Sequence, residues 1–264
     1  MNFLDSMARH STRRVAAAMA GEPLSELRAR AVDTDNPPAY DPQQFEVWAE
    51  LKPSSPSEGK LDQGVDLSER ACAYQAGGAS VLSVLTEPTA FGGSLRSLAQ
   101  ISESTTCPIM RKDFLVDPYQ VWEARAAGAG GVLLVIRMLS DEQLGRMMES
   151  ASDTGLFVLL EAFDQAELDR AALVADRSSP EVILGVNCRD LTTLEVDRSR
   201  FDAIELPRYP VLAESGIETS EHVEQVAMKG FRGVLMGTAL MRSADPAHTV
   251  ATMVAAGRAT CRSV

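Results

Sequence analysis

The chain has 264 residues, 45% of them hydrophobic, and its 25 basic and 37 acidic side chains give a formal net charge of -12. That is ample for one α/β barrel or two small domains. The acidic balance argues against a nucleic-acid role, because phosphate-backbone binding draws on positive charge, although a local basic pocket could still hold a small anion. Four widely spaced cysteines without a CxxC pair, and three scattered histidines, form neither a disulfide framework nor a zinc pattern. The first twenty residues lack a signal-peptide core and no 18-residue apolar run follows, so no membrane association and a reducing cytoplasm are expected.

Residues 1–44 are expected to form an N-terminal helical extension: an Ala- and Arg-rich stretch interrupted by Gly21 and Pro23, then the loop DTDNPPAYDPQQ. Its arginines, interspersed with Glu22 and Glu26, read as a solvated helix face. From residue 45 onward short apolar runs recur: EVWAELK (46–52), ASVLSVLTE (79–87), CPIMRKDF (107–114), GVLLVI (131–136), FVLLEA (157–162), VILGVN (182–187), PVLAES (210–215) and GVLMG (233–237). Periodic stretches of helix length that end at Gly lie between them, as in DEQLGRMMESASDTG. Strand starts every 23 to 33 residues with a helix in each interval predict a parallel sheet covered by helices. Eight such units close into a single (β/α)₈ TIM barrel over residues 45–264, with Asp245-Pro246 opening the last helix. The extension is surplus to the eight units and is placed across one end of the barrel, as lid or as bottom plug.

Barrel chemistry sits at the C-terminal ends of the strands. Glu50 and Lys52 lie two apart and so share a strand face. Lys112, Glu161, the pair Asn187 and Arg189, and Glu214 with Ser215 close four further runs. A charged residue that closes one strand is often only the first solvated loop position; five strands doing so at one end point to a site. Turns at Ser215-Gly216 and Gly237-Thr238 offer backbone N–H groups to a phosphate. Ser55 and Ser57 could add hydroxyl donors.

The segments ELKPSSPSEG, SVLTEPTAFGGSL, PIMRKDFLVDPYQVWEARAAGA, NCRDL, AESGI and MGTALM resemble those of the indole-3-glycerol phosphate synthase family over residues 45 to 245. The resemblance implies a carbon-carbon lyase of tryptophan biosynthesis. It would convert 1-(2-carboxyphenylamino)-1-deoxyribulose 5-phosphate to indole-3-glycerol phosphate by ring closure, decarboxylation and dehydration, without metal or organic cofactor. By the same resemblance Lys112 matches the general acid and Glu161 its partner in proton transfer, while Glu50 and Lys52 match residues of binding and proton handling. Asn187, Arg189 and Ser215 match substrate contacts, and Gly216, Gly237 and Thr238 lie on the phosphate side. Ser55 matches a residue near the anthranilate carboxylate, and Phe91 an aromatic beside the substrate ring. The resemblance also implies a monomer acting on a small phosphorylated substrate, with association with other pathway enzymes left open.

The chain departs from the family at Glu58, where lysine is common, at Cys188, and at Thr238-Ala239. Cys188 alternates away from the mouth, and little effect is expected from it. A relative accepting a substituted anthranilate stays open. An isomerase of the same pathway would need a Cys and an Asp as acid and base at strand ends; this chain offers Lys112 and Glu161 instead, with no Cys ending the first strand, and a scaffold without catalysis would show a broken site.

Overall fold

The computed structural model describes residues 2–61, 64–191 and 193–262. Eight strands, β1 (Glu46–Leu51), β2 (Val81–Leu85), β3 (Ile109–Lys112), β4 (Gly131–Val135), β5 (Phe157–Ala162), β6 (Val182–Asn187), β7 (Val211–Glu214) and β8 (Gly233–Met236), pair in parallel in chain order. β8 returns to pair with β1 and closes the barrel, as the strand spacing predicts. Alternation divides each strand. Trp48, Met110, Leu133, Leu159, Ile183, Leu212 and Leu235 fill the interior. Their neighbours Val47, Ile109, Val132, Val158, Leu184, Val211 and Val234 join the larger cluster under the helices.

The helices are α1 (Phe3–Gly21), α2 (Leu24–Asp33), α3 (Leu67–Ala76), α4 (Leu95–Ser104), α5 (Pro118–Ala126), α6 (Asp141–Thr154), α7 (Gln165–Ala175), α8 (Ser220–Met228) and α9 (Pro246–Cys261). Their starts are legible as caps. Asp117 and Ser140 each close a capping box with a Gln three residues on, and Asp245 caps α9 ahead of Pro246. Residues 263–264, expected in the last helical segment, lie outside the described residues. The expectation of a full helix in every interval fails between β6 and β7, where the single turn Arg200–Ala203 is the only helix among the described residues. There RDLTTLEVD has no helical apolar period, and Arg189 bridges Val196 in an antiparallel contact instead.

The N-terminal segment is both lid and plug. Phe3 at the start of α1 packs edge-on against Phe91 and Phe114, with ring centroids 6.5 and 5.8 Å away. Phe91 ends the helical turn Pro88–Phe91 beyond β2, and Phe114 lies in the loop beyond β3. At the other end, the loop after α2 sends Tyr40 against Trp48 and Phe157. Its hydroxyl donates to buried Glu46 at 2.9 Å, as does Trp48 Nε1 at 2.7 Å. Burial raises the Glu46 carboxyl above the ordinary range despite these donors. Gly131 leaves room for the Phe157 ring, which would stand 2.2 Å from a methyl there.

Candidate active site

The strand registers bring the polar strand ends to one level. Leu85 pairs with Lys112, Val135 with Glu161, and Asn187 with Glu214. Alternation turns Glu50, Lys112, Glu161, Asn187 and Glu214 inward above the apolar interior, where Leu133, Val135 and Leu235 form the floor. Of the twelve residues expected at the site from the sequence, eleven line this one cavity: Glu50, Lys52, Phe91, Lys112, Glu161, Asn187, Arg189, Ser215, Gly216, Gly237 and Thr238. Ser55 does not. Its buried hydroxyl braces the hairpin turn after β1 by accepting from the Glu58 N–H at 3.2 Å. Ser57 of the same turn reaches the site's edge, with Oγ 3.3 Å from Arg189 Nη1.

Lys112 lies at the centre. Its Nζ is 3.2 Å from Glu161 Oε2 and 3.2 Å from Glu214 Oε2. Burial disfavours the ammonium, but Glu161, Glu214 and Glu50 outweigh it and hold the Lys112 pKa above the usual lysine range. At neutral pH the residue therefore carries its proton. Glu214 responds the other way: burial first, then the Glu161 charge, pushes its carboxyl up to about 8 even though Lys112 opposes the shift. Glu161 and Glu214 thus share one ammonium. Lys52 pairs with Glu50 at 2.7 Å. Burial would raise Glu50, yet the Lys52 and Lys112 charges lower it.

Two glycines make the crowding possible. A methyl on Gly185 would stand 2.0 Å from Glu214 Oε1, and one on Gly237 would stand 2.2 Å from Glu50 Oε1. Any larger residue at these positions would displace the two carboxylates.

Ser215 and Gly216 both take left-handed backbone (φ 68° and 66°), which for the serine is a strained conformation of the kind that clusters at functional sites. Gly237 opens the single helical turn Thr238–Arg242. The two turns follow β7 and β8 and line the mouth beside Arg189, which follows the adjacent β6. The Arg189 N–H donates to Asn187 Oδ1 at 2.9 Å and its Nη1 to the Leu194 carbonyl at 2.8 Å. Opposite lies an apolar wall of Phe91, Phe114 and Leu85. One side therefore suits an anion and the other an aromatic ring. Glu58 also lines the mouth, and its charge is taken up by Arg242. Cys188 is buried with Sγ 3.3 Å from the Ser215 carbonyl, beneath the turn and away from the cavity. All four cysteines are free. Among the described residues no group of three His, Cys, Asp or Glu side chains is placed to hold a metal ion, and no helix is long and apolar enough to cross a membrane.

Glu214 was read from the sequence as a strand end but was given no role, although in VLAES it shares a face with Leu212, which is interior. Phe114 and Asp113 follow Lys112 directly and also line the cavity.

The family model for indole-3-glycerol phosphate synthase matches residues 4–253. The chain is 40% identical to the indole-3-glycerol phosphate synthase of Streptomyces griseus subsp. griseus over 97% of this chain and 96% of that one. It is 39% identical to indole-3-glycerol phosphate synthase 1 of Streptomyces coelicolor, with the same coverage. Among solved structures, 3-hexulose-6-phosphate synthase from Salmonella typhimurium superposes with a TM-score of 0.59 at 13% identity, over 82% of this chain and all of that one, a likeness of fold alone.

Proposed function

From the premise that this chain belongs to the indole-3-glycerol phosphate synthase family, we propose how its residues divide the family's reaction. The chain is a carbon-carbon lyase of tryptophan biosynthesis, converting 1-(2-carboxyphenylamino)-1-deoxyribulose 5-phosphate to indole-3-glycerol phosphate. The phosphate sits on the main-chain N–H groups at Gly216 and Gly237-Thr238, with Arg189 and Lys52 supplying charge. The anthranilate ring lies against Phe91 and Phe114, and Asn187 and Ser215 contact the chain between.

Lys112 presents its ammonium to the C2 ketone oxygen. As the ring carbon bearing the carboxylate attacks C2, Lys112 delivers a proton to the oxygen, and the ketone becomes a hydroxyl. The carboxylate then leaves as CO₂, and its bonding electrons restore the aromatic ring. In the last step the C2 hydroxyl takes a second proton and departs as water, while a base removes a proton to set the pyrrole double bond. Glu161 serves this dehydration, with Glu50 and Lys52 as the nearby pair that handles protons and holds substrate. Glu214, 3.2 Å from the Lys112 ammonium, aims it.

The observation that carries the reading is the Lys112 ammonium held between two buried carboxylates at the mouth's centre. Four free thiols suit a reducing cytoplasm. The test is indole fluorescence from metal-stripped protein given the carboxyphenylamino-deoxyribulose phosphate. Turnover by the wild type with a loss of roughly 10²-fold or more in Lys112→Ala is expected. A folded wild type that produces no indole refutes the assignment.

A further inference from the structure

Asp113 follows Lys112 just past the end of β3, lines the edge of the same cavity, and directs its carboxylate to Arg14 of α1. Its buried carboxylate accepts five hydrogen bonds. Two come from Arg14, Nη1 to Oδ2 at 2.8 Å and Nη2 to Oδ1 at 2.7 Å. The others come from Thr86 Oγ1 at 2.7 Å, the Phe114 N–H at 2.8 Å and Arg111 Nη2 at 3.2 Å. Thr86 acts twice, because its own N–H donates to the Lys112 carbonyl at 3.0 Å. The peptide that carries Lys112 is thereby fixed from β2 on one side and from α1 on the other.

Arg14 is the only part of this arrangement that the lid helix supplies. Arg111 cannot replace it, since its guanidinium is already committed to Thr86, the Gln120 carbonyl and Glu123. A planar, bidentate guanidinium–carboxylate pair also fixes direction as well as distance. Eleven residues before Arg14, Phe3 closes on Phe91 and Phe114 at the cavity wall. Seating of α1 and placement of the β3 end are thus one mechanical event.

We propose that Arg14 is a positioning residue for the reaction: by clasping Asp113 when α1 lies across the mouth, it locks the end of β3 and so aims Lys112. The proposal rests on Lys112 being the general acid. It makes the lid a part of the catalytic alignment in addition to a cover.

The test is a cycle of Arg14→Ala and Lys112→Ala, with kcat and KM measured separately by indole fluorescence. Arg14→Ala is expected to lower kcat about tenfold in the wild-type background and less than about twofold in the Lys112→Ala background, the signature of two residues acting as a unit. Arg14→Lys keeps the charge without the fork and recovers part of the loss; it also serves if the alanine variant melts. Ser11→Ala is the structural control. It removes another buried tie of α1, the 2.9 Å bond from Gln120 Nε2, without touching Asp113, and is expected to leave kcat within about twofold. Equal losses in both backgrounds, a change in KM alone, or a Ser11→Ala defect matching Arg14→Ala would overturn the proposal. Full activity in Lys112→Ala would overturn the acid assignment itself, whatever Arg14→Ala does.

Discussion

Gly185→Ala tests whether the position of Glu214 matters to the chemistry. The added methyl would stand 2.0 Å from Glu214 Oε1 and 3.2 Å from Leu159 Cδ1. An ordinary carbon–oxygen contact is about 3.3–3.6 Å, so the carboxylate must retreat by about 1.3 Å. Oε1 is buried and has no hydrogen-bond partner, so no bond resists the shift at that atom, while Oε2 is drawn from its 3.2 Å contact with Lys112. A misplacement of about 1 Å in a reacting constellation costs about 10²-fold in rate. Overpacking of this kind costs about 1–3 kcal/mol, or roughly 2–12 °C in Tm for a chain of this length. Steady-state indole fluorescence and a thermal melt read the two effects separately. Retention of kcat within about threefold, in a variant that melts cooperatively, would show that Glu214 does not aim Lys112 and would refute the reasoning.

Stability should carry the mark of the same carboxyl. The folded-state pKa of Glu214, about 8, lies above the ordinary carboxylate value, so the folded protein keeps a proton that the unfolded chain releases. Its contribution is fully present below about pH 4.5 and is lost as pH rises toward 8. The Tm of Glu214→Gln relative to wild type should therefore climb between pH 5 and pH 8; a difference independent of pH contradicts this. At the acid end Asp113 runs the other way. Burial opposes its charge, but Arg14 and Arg111 lower its pKa to about 2, so its stabilisation fades as pH falls from about 4 toward 2, a loss that Asp113→Asn should not show. Glu58→Gln removes an acid from the cavity rim and frees Arg242. For an anionic substrate KM should fall roughly two- to fivefold at low salt, and the gain should shrink toward 0.5 M salt, about where charges beyond 5 Å are screened. A salt-independent KM would show that the rim charge plays no part.

The barrel was legible because each strand pairs with its chain neighbour and repeats one pattern. Eight apolar runs at regular spacing, with capped helices between most of them, leave few other ways to bury both faces of a parallel sheet. The interval after Asn187 broke the pattern because its loop is held by contacts to Arg189 and the Ser215-Gly216 turn, which no helical period announces. Most of the site was legible for a similar reason. Strand alternation and a common end assign Glu50, Lys112, Glu161 and Asn187 to one mouth, the Gly-containing turns after β7 and β8 were read from the same end, and family resemblance added Phe91. Ser55 lies outside the cavity lining, and a hairpin turn after a strand gives no period by which to tell a hydroxyl that faces the mouth from one that braces the turn.

What the sequence determined by itself, then, is the set of strand ends and their order, since both follow from local periodicity and from the right-handed closure of like units. Tertiary structure alone decided three things. It set which carboxylates share the Lys112 ammonium, it made Gly185 and Gly237 spaces for side chains from neighbouring strands, and it brought Arg14 to Asp113 across 99 positions. Each depends on a distance between residues far apart in the chain. Periodicity fixes the face on which a residue lies but carries no information about which distant residue will meet it there.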